Sequence, residues 1–321
     1  MKSNYKYIFT DFKKLEKMSS EVRKIFSRNN IKIKKNKDLD EMLILCDNAS
    51  NTFKDSSINI KLKIITAKRI IESILFCANE SPKQLKEILH RIATENLDLN
   101  TKVPSKGKDA VFELEYFLYL KELGLSVSLG EPDIIATLPC GPYYIACKTI
   151  NESGNFKNQL RSGYRQVRLS GRSKDEQMKD NFVPFNGVVA FNIEPHLDYK
   201  KRMLSIEVDS KEIVYNELRN FLTDEIEKYK QVFNKVILSG KIDAVVFYTS
   251  CNIKIKFSPD EMTTVSCTMI ADEYTDRVKL NKQKDSILRA RFFGNPRSKE
   301  SIDIIKPYLI KNHPRFNQVI K

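Results

Sequence analysis

The stretch from Lys106 to Ile150 constrains the fold most, because it sets a helix directly before a β-hairpin. From Gly107 it reads GKDAVFELEYFLYLKELGLSVSLGEPDIIATLPCGPYYIACKTI. Asp109 to Leu123 is nearly continuous in apolar residues, so its two central acids stand out. At about 100° per residue, Glu113 falls among Ala110, Tyr116, Phe117 and Leu120, and Glu115 falls beside Glu122 on the polar side. A carboxylate on an apolar face needs compensation. A metal ion, a lysine or arginine partner, or water at the helix edge would each supply it. Gly124 is placed to end the helix as a C-cap.

Ile134 to Leu138 and Tyr143 to Cys147 are rich in β-formers, and Pro139-Cys140-Gly141-Pro142 is a turn cluster. With those four residues as the loop, Leu138 faces Tyr143 and Asp133 falls opposite Lys148. Directly opposed residues of an antiparallel pair point to one face, about 5 Å apart. Position 146, two residues from Lys148, points to that face as well. The pattern thus groups an acid, a lysine and the side chain of residue 146, with Glu113 arriving from the preceding helix.

Phe112-Glu113 in the helix, Pro132-Asp133 on one hairpin arm and Ala146-Cys147-Lys148 on the other resemble the PD-(D/E)XK nuclease superfamily. The resemblance covers roughly residues 106 to 250. It implies an α/β fold with a mixed α+β sheet, a restriction-endonuclease-like αβββαβ core. It also implies Mg²⁺-dependent hydrolysis of DNA phosphodiester bonds, with Mn²⁺ as a substitute. Glu113, Asp133 and the backbone carbonyl of Cys147 would hold the metal, and Lys148 would act on the attacking water or on the phosphate oxygens. One position departs from the pattern: Ala146 stands where the family has Asp or Glu. Three explanations stay open: an acid deliberately replaced, a natural silent relative, or another acid such as Glu131 or Glu152 in its role.

Elsewhere the chain carries little chemistry. Its 321 residues are 41% hydrophobic, enough for a proper core, and no apolar run approaches a membrane span. The start, MKSNYKYIFTDFKK, lacks a signal-peptide apolar region. A net charge of +14 favours an anionic partner, nucleic acid first, though it also fits a merely Lys-rich protein. The six cysteines show no paired ligand spacing, which suggests reduced core residues of a cytoplasmic protein. No Walker A or GxGxxG sequence is present, so any ATP use falls to a protein partner such as an ATPase. A homodimer is a family-level expectation, as is a role in restriction or phage defence.

Residues 1–104 read as a helical N-terminal region, 105–271 as the nuclease-like core and 272–321 as a basic helical extension. Helices are expected at Asp11 to Arg28, Leu39 to Cys46, Ile58 to Asn79 and Pro82 to Ile92. After the hairpin, Asn155 to Leu169 forms a basic helix on which Arg161, Arg165, Arg168 and Arg172 share one face. Such a stripe suits a run of phosphates, or is a solvated face. The resemblance implies a polar addition to the site from this helix, for which Gln159 and Gln166 are the candidates. A strand near Ser126 to Leu129, buried strands at Gly187 to Ile193 and Asp243 to Cys251, and one or two helices in Ser210 to Ser239 complete the core. Ile253 to Phe257 and Thr264 to Ile270 read as antiparallel additions at the sheet edge. In the tail, Arg289, Arg291 and Arg297 surround Phe292 and Phe293. The alternative to an enzyme is a catalytically silent nucleic-acid-binding or scaffold subunit of a multi-protein complex.

Overall fold

The computed structural model describes residues 12–55, 57–80, 82–98, 101–138, 141–170, 187–197, 207–239, 241–255 and 262–271. Arg172, Cys140 and the whole tail from residue 272 lie outside the described residues, as do the expectations placed on them.

Among the described residues, helices α1 (Phe12–Arg28), α2 (Asp38–Asp47), α3 (Ala49–Asp55), α4 (Ile58–Phe76), α5 (Pro82–Thr94) and α6 (Lys106–Glu122) precede the first strand. Strands β1 (Val127–Leu129), β2 (Ile134–Leu138) and β3 (Gly141–Thr149) follow, then α7 (Phe156–Leu169) and β4 (Gly187–Asn192). The described chain continues with β5 (Glu207–Val208), α8 (Lys211–Leu238), β6 (Ala244–Ile255) and β7 (Met262–Ala271). The result is a mixed α/β fold on one mixed sheet.

The strands pair in the order β1-β2-β3-β4-β6, with β5 also on β6. β1, β2 and β3 are antiparallel, and β3, β4 and β6 are parallel. β7 pairs antiparallel along β6 from Val245 to Lys254, so β4 and the short β5 share the opposite edge of β6. Ile253 to Ile255 therefore continues β6 rather than forming a strand of its own.

Alternation along the strands sorts their side chains into two apolar layers. Val188, Ala190, Val246 and Tyr248 join the layer formed with the N-terminal helices and α6. Val189, Phe191, Val245 and Phe247 join the layer under α7 and α8. Being covered on both faces, β4 reads in sequence as a continuous apolar run. The helices α1–α6 thus share one continuous core with the sheet. Gly163 lets α7 ride close on β4, since a Cβ there would lie 2.6 Å from Val189 Cγ1.

The helix α6 is set at both ends by its own sequence. Ser105 caps its start, accepting a hydrogen bond from Gly107 N. Gly124, at φ 88°, ends it, with Gly124 N donating to Lys121 O and Leu125 N to Leu120 O. Those two bonds are the Schellman pattern, which favours glycine.

Glu115 does not lie on a polar face. It is 6% exposed and pairs with Arg69 of α4, whose Nε is 2.6 Å from Glu115 Oε1. Arg69 also reaches Glu194, just after β4, at 3.1 Å, and Ser250 of β6. Ser250 Oγ donates to Glu194 Oε2 at 2.7 Å. Burial pushes the Glu115 carboxyl up to about 7, although Arg69 pulls it down. The expectation failed because α6 is enclosed on more than one side, by α4 and α5 as well as the sheet, so a helical wheel with one buried face misplaces its acids.

Candidate active site at the end of strand β3

The hairpin register differs from the expected one. Leu138 pairs with Gly141, Thr137 with Pro142 and Ile134 with Ile145. Two residues rather than four intervene, because Gly141 and Pro142 are drawn into β3 despite their turn chemistry. Pro142 lies ahead of Tyr144, where β4 joins, so its missing N–H costs the ladder little. By this register Asp133 falls opposite Ala146 instead of Lys148. The shift is two residues, so the facing pattern survives, and Lys148 Nζ still lies 3.9 Å from Asp133 Oδ2.

The last ladder pair, Ile134–Ile145, leaves the next β2-side amides of β3 without a strand partner. Two carboxylates take them. Cys147 N donates to Asp133 Oδ2 at 2.6 Å, and Thr149 N donates to Asp109 Oδ1 of α6 at 3.0 Å. A carboxylate on a backbone amide makes a charge-assisted bond. These two aspartates therefore hold the end of β3 where the sheet opens.

Glu113, 3% exposed, stands one helical turn from Asp109 on α6. Both its oxygens accept from Arg91 of α5, at 2.8 and 2.7 Å, a bidentate pair. Burial raises the Asp109 and Glu113 carboxyls, with Lys148 and Arg91 acting against it. Burial raises Asp133 well above the usual carboxylate range, and the charge of Glu113 adds to it. Three raised carboxyls and two cations thus crowd one low-dielectric spot.

Position 146 behaves otherwise. The Ala146 methyl is fully buried in the apolar layer that also holds Phe156, Leu160 and Val189. Cys147 is fully buried on the opposite layer, and burial pushes its thiol well up, so it stays protonated. Glu131 is exposed, and Glu152 lines a separate cavity.

The donors match a hard divalent ion in kind, since oxygen ligands suit Mg²⁺. In arrangement they are engaged by the protein. Among the described residues no group of three or more His, Cys, Asp or Glu side chains is set to hold an ion. Arg91 is the cation that neutralises Glu113, and the β3 amides occupy one oxygen each of Asp133 and Asp109.

Asp109 and Arg91 are the members that sequence reading missed. Asp109 was legible, because it precedes Glu113 by four residues and so shares its helix face. Arg91 was not, since nothing local links α5 to α6.

On α7, Phe156, Leu160, Gly163 and Val167 are buried against the sheet. Arg161 and Arg165 are exposed and Arg168 is half-buried. Gln159 is half-buried, and Gln166 Oε1 is enclosed without a hydrogen-bond partner among the described residues. If the stripe follows a phosphate backbone, Arg161→Ala with Arg165→Ala lowers the log–log salt slope of DNA binding by about 0.7–0.9 per lost contact. Unchanged affinity and slope, measured by fluorescence anisotropy across a salt series, would reduce the stripe to a solvated face.

Comparison with protein-family models, curated proteins and solved structures finds no match to this chain.

Proposed function

We propose that the chain is a DNA phosphodiesterase of the PD-(D/E)XK type, with Asp109 of α6 supplying the charge that Ala146 lacks. The observation that carries this reading is the pairing of Lys148 with Asp133 at the open end of β3, with Asp109 and Glu113 held beside them. The order α6, β1, β2, β3, α7, β4, with β3 and β4 parallel, supports the restriction-endonuclease-like core.

In this reading α7 presents Arg161 and Arg165 to the phosphate backbone. Lys148 donates to a non-bridging oxygen of the reacting phosphate, where charge builds in the transition state. Asp133, its carboxyl raised by burial and by Glu113, holds or releases a proton at its Oδ1, the oxygen that Cys147 N does not engage. Arg91 must leave Glu113 before that carboxylate can serve any other cation. Once Arg91 had released Glu113, Asp109 and Glu113 would be the carboxylates left to hold Mg²⁺, which would supply a water of lowered pKa and charge stabilisation.

A second reading is favoured by two specific observations, the buried methyl at 146 and the bidentate Arg91–Glu113 pair. It is a silent DNA-binding subunit on the same framework. One assay separates the two: nicking of supercoiled plasmid with Mg²⁺ or Mn²⁺ by the unaltered chain, Asp109→Asn and Ala146→Glu. The proposal expects cleavage by the unaltered chain and loss in Asp109→Asn. Cleavage only in Ala146→Glu would show that Asp109 does not fill the role. No cleavage by any of them, with salt-dependent DNA binding intact, establishes the silent subunit.

A further inference from the structure

Two arginines of the N-terminal helices neutralise buried glutamates of α6. Arg69 of α4 pairs with Glu115, and Arg91 of α5 pairs with Glu113. Their settings differ. The Arg69 side chain is 10% exposed and is shared with Glu194 and Ser250, so several elements close around it. The Arg91 side chain is 23% exposed while that of Glu113 is 4%, so the acid is enclosed and its cation reaches solvent. Arg69 is built into the core, whereas Arg91 has an open side toward which it can turn.

While Arg91 stays, Glu113 is closed to another cation. Nη1 and Nη2 of Arg91 engage both carboxylate oxygens, at 2.8 and 2.7 Å. Charge acts in the same direction. The carboxyls of Asp109, Glu113 and Asp133 share their surroundings with the cations Lys148 and Arg91. Even with all three carboxyls ionised, a divalent ion added beside both cations leaves this enclosed group net positive, which burial opposes. With Arg91 turned out, the same ion leaves it neutral. Arg91 and a divalent ion therefore exclude each other at Glu113.

An arginine binds a phosphate through the same fork that it offers a carboxylate. Lys148 and Arg91 both act on Asp133 and on Glu113, so a phosphate brought to Lys148 comes beside Arg91. We infer that Arg91 is a latch released by substrate: the phosphodiester takes the guanidinium from Glu113, and the freed carboxylate then admits the divalent ion. The inference rests on the nuclease reading and adds an order of assembly to it, nucleic acid before metal. Linkage makes the effect reciprocal, so a bound diester tightens the ion by the same factor by which the ion tightens the diester.

The test is Mn²⁺ binding by the full chain, followed as loss of the free-ion signal in electron paramagnetic resonance. It is run without ligand, with thymidylyl-thymidine, whose single linkage is a charged phosphodiester, and with the neutral methylphosphonate analogue. Each dinucleotide titrated alone supplies the background. The charged dinucleotide should tighten Mn²⁺ by about tenfold, inside the usual range of such couplings, and the neutral one should leave it unchanged. Arg91→Gln removes the latch, so Mn²⁺ without dinucleotide should bind this variant about tenfold tighter than the unaltered chain, and added dinucleotide should change little. Arg91→Lys keeps a cation for Glu113, and so protects the fold, but replaces the fork by one contact; it should move both readings the same way by about threefold. Equal Mn²⁺ binding with and without the charged dinucleotide, equal effects of the charged and neutral dinucleotides, or unchanged coupling in the folded variants overturns the latch and leaves the nuclease reading standing. No Mn²⁺ bound in any arm, the Arg91 variants included, overturns both.

Discussion

Arg69→Met lowers the stability of the fold by about 3–5 kcal/mol, the range seen when one partner of a buried ion pair is removed. At about 2–4 °C per kcal/mol, thermal unfolding should shift down by roughly 10 °C. The size follows from what Arg69 neutralises. Glu115 and Glu194 both depend on it, and each is more than nine-tenths buried. The pH dependence gives the prediction a second, independent reading. The Glu115 carboxyl sits at about 7 with its cation in place, above its value in an unfolded chain. Folded protein therefore binds the extra proton, and stability falls as pH rises from the ordinary glutamate range through about 7. Without Arg69 the carboxyl moves higher, so the gap between the parent chain and Arg69→Met should widen from pH 5 to pH 8. Differential scanning calorimetry at both values checks it. A constant gap would mean that lost packing, and not stranded charge, explains the effect. Arg69→Met combined with Glu115→Leu should recover part of the loss, since an apolar replacement removes one stranded carboxylate.

On the proposed nuclease reading, Asp133→Asn lowers phosphodiester cleavage by about 100-fold or more while leaving the fold at least as stable. Asparagine Oδ1 still accepts from Cys147 N, so β3 keeps its cap. The charge, however, disappears. Asp133 is raised in the folded state by burial and by Glu113, so the parent chain loses stability as pH climbs above the ordinary aspartate range. The variant escapes that loss. Its melting temperature should exceed the parent's at pH 8 and approach it at pH 5, where a gain of 1 kcal/mol corresponds to about 2–4 °C. A variant that is inactive and less stable at pH 8 would assign Asp133 to holding β3 only.

Much of the framework was legible because local chemistry and global burial agree. The apolar run of β4, the Gly124 end of α6, and the helix of α8 between Ser210 and Ser239 each state their structure in their own residues. The proximity of Asp133 and Lys148 was legible through period-two alternation, which tolerated a two-residue slip in register. What failed has one cause. Gly141 and Pro142 belong by type to turns, and only pairing with Leu138 and Thr137 draws them into a strand. Glu115 belongs by wheel angle to a polar face, and only α4 packing beside α6 buries it. Arg91 reaches Glu113 from another helix, and the Ala146 methyl lies under α7. Each of these is decided by a neighbour distant in sequence or on another element, which a single linear pattern does not encode.

The Arg69 node also sets an order on biosynthesis. Its partner Ser250 lies 181 residues downstream, and Glu194 lies 125 downstream. At about 5–20 residues per second, roughly 10–40 s separate translation of the arginine from that of its last partner. Throughout that interval the helical segment on the ribosome carries an arginine with no strand to receive it. The face of the N-terminal helices that meets the sheet therefore stays uncovered until β6 is made, so a nascent chain that stops before β6 exposes the apolar residues which Val246 and Tyr248 would cover.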